Sequence, residues 1–103
     1  MVFMTKQSIL ENLKQLRPVV RDRYRADIKG FFGSYARGEQ ETGSDIDMLV
    51  DFDAAADLFD FVGLSDFLEE MLSCSIDVVP IRSIREEIKA QILSEAIYIR
   101  ETG

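Results

Sequence analysis

Near the start of the chain, Ile9, Leu13, Leu16 and Val20 recur three or four residues apart, the interval that lines one face of a helix. Ser8 and Glu11 have capping-box spacing, so the helix is expected to begin between Thr5 and Ser8. Pro18 falls inside this run, and the clash of its ring with the preceding turn predicts a break or bend near Arg17. Ile28 to Phe32 is a short apolar run ending at Gly33 and reads as a buried strand, after which Ser34 to Gly38 has room for one helical turn. From Ile46 to Phe52 the period changes to two. Ile46, Met48, Val50 and Phe52 share one face, and Asp45, Asp47, Leu49 and Asp51 share the other, which describes a strand with one acidic end.

Asp57 is placed to cap a helix running to about Leu72, with Phe61, Leu64, Leu68 and Met71 along its inner face. Ser75 to Ile81 predicts a third strand closed by Pro80. Ser83 and Glu86 repeat the capping-box spacing, and Ile84, Ile88, Ile92 and Ala96 carry a last helix to about Ile97. Leu93, Ile97, Tyr98 and Ile99 leave that helix apolar over more of its circumference than a solvent-facing helix needs, so either a partner or the protein's own core should cover it. The seven phenylalanines read mostly as core, and the tail from Arg100 to Gly103 is expected to fray. Alternating strands and helices predict an α/β (α+β) fold, with a small mixed sheet of three to four strands and helices packed on it.

At 103 residues the chain is expected to form one domain, residues 1–103. A net charge of −7 with no Lys/Arg stripe argues against binding a long nucleic acid. Cys74 is the only cysteine, which excludes an intrachain disulfide and fits a reducing compartment; it reads as a small buried residue. Neither a signal peptide nor a membrane-length apolar run is present, so a cytoplasmic protein is expected. Without histidine, His-based acid–base chemistry and His-ligated zinc are unavailable, and carboxylates with metals remain.

The candidate chemistry lies between the first two strands. Gly33 and Ser34 form a turn that could offer backbone N–H groups and a hydroxyl to a phosphate, glycine permitting close approach. Ten residues later come Asp45 and Asp47, which alternation places on one face, where they could share hard divalent cations. Asp77, between Ile76 and Val78, is the candidate third carboxylate and proton acceptor if its strand lies beside that of Asp47. Arg37 could meet phosphate as a planar donor fork, or instead pair with Glu39 or Glu41. Each feature has a plain alternative: a simple turn, a solvated acidic strand end, a strand-edge aspartate in water. Asp51, Asp53, Asp57 and Asp60 read as surface and helix-start charges.

The run GSYARG, then SDID, then IDVV resembles the minimal nucleotidyltransferase group of the polymerase-β-like superfamily along nearly the whole chain. The resemblance implies that superfamily's fold and a Mg²⁺-dependent transfer of a nucleoside monophosphate, usually AMP from ATP, to a hydroxyl, using two Mg²⁺ ions. By this likeness Gly33 and Ser34 match the phosphate-binding turn, Asp45 and Asp47 the metal-binding pair, and Asp77 the third carboxylate. Members this short are similar to antitoxins that silence a HEPN-domain ribonuclease toxin by adding AMP to a tyrosine, so the implied partners are a HEPN toxin and a nucleoside triphosphate. Two rivals stand beside this reading: an antitoxin that works by occlusion alone, and transfer to a small molecule. Nucleotide preference, the number of units transferred, the acceptor residue and homo-oligomerisation stay open.

Overall fold

The computed structural model describes residues 4–100. The first helix, α1 (Lys6–Tyr24), begins with a capping box in which Thr5 and Ser8 exchange side-chain to backbone bonds at 2.9 and 3.0 Å. Ser8 is thus the third helical residue and not the cap; Glu11 lies a turn further on, accepting from Gln7 at 3.3 Å. The expected break at Pro18 does not occur, and the helix is continuous through it. Pro18 lies on the exposed side, while Leu13 and Val20 on either side are fully buried against the sheet. That packing, with an Arg17–Asp27 ion pair at 2.7 Å, offsets the roughly 3 kcal/mol an internal proline costs.

Strand β1 (Ala26–Phe32) leads through Gly33 into one helical turn, α2 (Ser34–Arg37), and a loop returns the chain as β2 (Ile46–Phe52). The two strands pair antiparallel, with a one-residue bulge between Ile28 and Gly30. The bulge turns both Ile28 and Phe31 into the core, which is why this apolar run does not alternate. Next come α3 (Leu58–Leu72), capped reciprocally by Asp57 and Asp60 at 3.0 Å, and β3 (Ile76–Pro80), parallel to β2. Leu64, Phe67, Leu68 and Leu72 are the buried face of α3; Met71, expected there, is 48% exposed because this face centres on the Leu64–Leu68–Leu72 line. Phe59 is another exception to expectation, at 87% exposed.

The end of the chain departs most from the sequence expectation. A 3-10 turn (Ile81–Ser83) precedes α4 (Glu86–Glu95), and the Ser83 hydroxyl donates to the Pro80 carbonyl at 2.8 Å, so no Ser83–Glu86 capping box forms. The last helix has no buried residue and stops at Glu95. Ile97 and Tyr98 form β4 (Ile97–Tyr98), antiparallel to β1, instead of extending the helix. Gly30 permits this pairing, because a Cβ there would stand 2.0 Å from the Ile97 carbonyl oxygen. Ile99 then bonds the Lys29 carbonyl at 2.9 Å and enters the core. Of the tail expected to fray, only Arg100, exposed, is among the described residues; 101–103 lie outside them. The sheet order is β3-β2-β1-β4, mixed, with α1 and α3 packed over a core of Ile9, Leu13, Ile28, Phe31, Met48, Val50, Leu64 and Leu68.

Candidate active site

Three of the predicted carboxylates and the Gly-Ser turn come together at one end of the sheet, where β1 finishes and β2 and β3 begin. Antiparallel pairing sets Phe32 opposite Asp47, and parallel pairing sets Asp77 opposite Asp47 on the other side. Gly33, directly after Phe32, therefore lies against the Asp47 side chain. It has φ 78° and ψ −150°, a region essentially restricted to glycine, and a Cβ there would stand 2.0 Å from Asp47 Oδ2. The turn closes with Ala36 and Arg37 N–H both bonded to the Gly33 carbonyl at 3.1 Å, while the N–H groups of Ser34 and Tyr35 open the helix, where no intrahelical acceptor exists.

Asp47 is half-buried, whereas Asp45 and Asp77 are exposed. Burial pushes the Asp47 carboxyl above its ordinary value, and the neighbouring Asp77 and Asp45 carboxylates push it further; only Arg37 opposes them. Among the described residues, no group of three or more His, Cys, Asp or Glu side chains stands ready to hold a metal ion, so the expected Asp45–Asp47–Asp77 cluster is not preformed. What the fold supplies is the hard carboxylate oxygens of Asp47 and Asp77 on adjacent, in-register strands, with Asp45 near enough to act on Asp47 through its charge.

Arg37 is held by acids. Its Nε donates to Glu39 at 3.1 Å, and Nη1 lies 3.8 Å from Glu95 at the end of α4; Glu39 and not Glu41 is its near partner. Sequence reasoning missed the surroundings of the turn. Tyr35 packs against the core on the helix-covered side, near Cys74; burial raises the pKa of both groups. Cys74 is thus a half-buried, hydrogen-bonded group and not a simple apolar filler. Both residues line a cavity of about 950 Å³ beside the loop of residues 40–44. The sequence signal for Tyr35 was only its position after Ser34.

A mixed sheet carrying a glycine-serine turn beside opposed aspartates defines a nucleotide-transferring class of domain, and the chain matches the Nucleotidyltransferase domain family over residues 13–99. It belongs to that family and is a nucleotidyltransferase. It is 34% identical over 99 residues to the protein adenylyltransferase MntA of Thermococcus cleftensis, spanning 96% of this chain and 100% of that one. A solved minimal nucleotidyltransferase is 35% identical, with a TM-score of 0.72 over 94% of this chain and 98% of that one. A toxin-antitoxin structure with AMP-PNP has the same fold at 24% identity, with a TM-score of 0.67 over 96% of this chain and 75% of that one.

Proposed function

We propose that the protein is a Mg²⁺-dependent protein adenylyltransferase that moves AMP from ATP to a hydroxyl, a tyrosine's, on a HEPN-type toxin, and so acts as its antitoxin. The observation that carries the reading is the in-register opposition of Asp47 and Asp77 with Gly33 pressed against Asp47. Full-length similarity to a protein adenylyltransferase supports the reaction type. A fold neighbour determined as a toxin-antitoxin complex with an ATP analogue supports the partner and the nucleotide.

In this reading Asp45, Asp47 and Asp77 hold the cations. Their crowded charge favours such binding, since a bound cation relieves the repulsion that opposes ionisation of Asp47. Bound there, Mg²⁺ ions would neutralise charge on the transferring phosphate and on the attacking and leaving oxygens. The Ser34 hydroxyl and the N–H groups at the start of α2 grip the triphosphate, and Gly33 keeps that backbone close to the carboxylates. Arg37 exchanges Glu39 for a phosphate oxygen. Asp77, exposed and next to Asp47, takes the proton of the acceptor hydroxyl. A bond forms between that oxygen and the α-phosphorus, the bond from the α-phosphorus to the bridging oxygen breaks, and pyrophosphate leaves.

The test is incubation with ATP labelled at the α-phosphate, Mg²⁺ and the product of the neighbouring gene, which this reading requires to be a HEPN protein. Label should pass to the partner's tyrosine and be lost in Asp45→Ala/Asp47→Ala. Undiminished transfer by that double variant would refute the site. Full neutralisation of the toxin in cells by the same variant would instead make occlusion the biological mechanism.

A further inference from the structure

β3 is an end strand, with β2 on one side and no strand on the other. Only three residues, Ser73 to Ser75, connect it to α3, and Ser73 makes the reversal in the left-handed region at φ 53°. Asp77 is the second residue of this strand, so its place depends on how firmly the first is held. On the inner side, Ile46 N–H donates to the Ser75 carbonyl at 2.9 Å. Successive N–H groups of a strand point to opposite sides, and the N–H of Ile76 donates instead to Glu69 Oε2 at 3.2 Å, in a part-buried bond from β3 back to the last turns of α3. Without that acceptor, the outer edge of β3 would have only water at the residue before Asp77.

Just before Ile76, the Cys74 thiol donates to the Ser75 carbonyl at 3.3 Å. We infer that Glu69 is a positioning residue for Asp77: it fixes the outer edge of β3 one residue before that aspartate. The inference rests on the active-site reading above and deepens it.

The test uses the full chain and two variants, Glu69→Leu and Glu69→Gln, with Asp77→Ala alongside. Glutamine keeps an acceptor oxygen and leucine does not. Amide hydrogen exchange at Ile76 and Asp77 should rise about tenfold in Glu69→Leu, while core amides of β1 and β2 stay protected. Mn²⁺ affinity, read by electron paramagnetic resonance, should fall in the same variant. In AMP transfer, Glu69→Leu should lower kcat about tenfold or more with KM for ATP little changed, because a displaced carboxylate harms the reacting geometry more than the phosphate grip. Glu69→Gln should restore kcat to within about threefold of the parent. Unchanged exchange at Ile76 and Asp77 in Glu69→Leu overturns the inference, as does a kcat loss that glutamine does not restore. If Asp77→Ala transfers AMP at the parental rate, the active-site reading itself fails; if Asp77→Ala is inactive and Glu69→Leu is not impaired, only the positioning inference fails.

Discussion

Replacing Gly33 by alanine should damage the site through geometry that a single methyl group makes calculable. The backbone at Gly33 has φ 78° and ψ −150°, where an L-residue costs about 1–3 kcal/mol. The new Cβ would begin 2.0 Å from Asp47 Oδ2 and 3.1 Å from its Cγ. Ordinary contact needs roughly 3.5 Å, so the carboxyl must retreat by about 1.5 Å. A displacement of about 1 Å at a reacting centre costs on the order of 10²-fold in rate, so kcat should fall at least about 100-fold. The backbone cost should lower the melting temperature by about 5–20 °C for a domain this size. Gly38→Ala is the control: Gly38 also has positive φ, 72°, but a Cβ there meets nothing within 4 Å. It should lose about 1–2 kcal/mol of stability and keep its activity. Thermal melts by circular dichroism with steady-state transfer assays separate the two effects. A folded Gly33→Ala protein turning over at the parental rate would refute the claim that this glycine exists to admit Asp47.

Asp47→Asn should abolish transfer yet raise the melting temperature in metal-free buffer, because it removes a carboxylate that burial and the neighbouring Asp77 and Asp45 make reluctant to ionise; a lower melting temperature would contradict this. Since the native carboxyl holds its proton above its ordinary value, Asp47 lowers stability as pH rises through the interval above about 4, and the Asn variant should lack that decline. Asp27 has the opposite sign. Burial resists its ionisation, but hydrogen bonds from Arg17, Lys29 and Arg21 outweigh it and hold the carboxyl well below the usual range. Its contribution is therefore complete above about pH 5 and lost as pH falls through about 4 and below. With the Asp27 side chain 21% exposed, Asp27→Asn should cost about 1–3 kcal/mol at pH 7, and by urea unfolding most of that cost should persist at pH 3 and shrink only as the pH falls further.

Local periodicity carried most of the fold. The strand from Ile46 to Phe52 and the Asp57 cap are both present, because each is decided by a few neighbouring residues, although Leu49, read on the acidic face, is fully buried and Phe52 only partly. What went astray depended on distant partners. Ile97 to Ile99 look helical beside Leu93, but the missing Cβ of Gly30, far away in sequence, opens a strand position for them. Pro18 looked like a breaker because the packing of Leu13 and Val20 that carries the helix past it cannot be seen locally. In the site, Asp45 and Asp47 were legible from spacing, and Asp77 only on the assumption that its strand neighbours theirs, which the parallel register bears out. Glu69 gave no sequence signal, since its partner is a backbone N–H reached only after α3 and β3 are packed.

Asp27 and Asp47 lie on adjacent strands of one sheet, both partly buried, and the fold treats them in opposite ways. Around Asp27 it gathers Arg17, Arg21 and Lys29, each within 3.0 Å of a carboxyl oxygen. Around Asp47 it sets Asp77 in register and Asp45 nearby, and it turns the available guanidinium, Arg37, towards Glu39. A carboxylate needed only for packing gains nothing from such neighbours, because crowding like charges in a half-dry site opposes folding. Under the proposed function, cations that also neutralise a nucleotide's phosphates would supply the missing positive charge. The contrast within one sheet, one aspartate paired with three cations and one opposed only by Arg37 acting through its charge, is the physical argument for placing the proposed chemistry at the end of the sheet near Gly33.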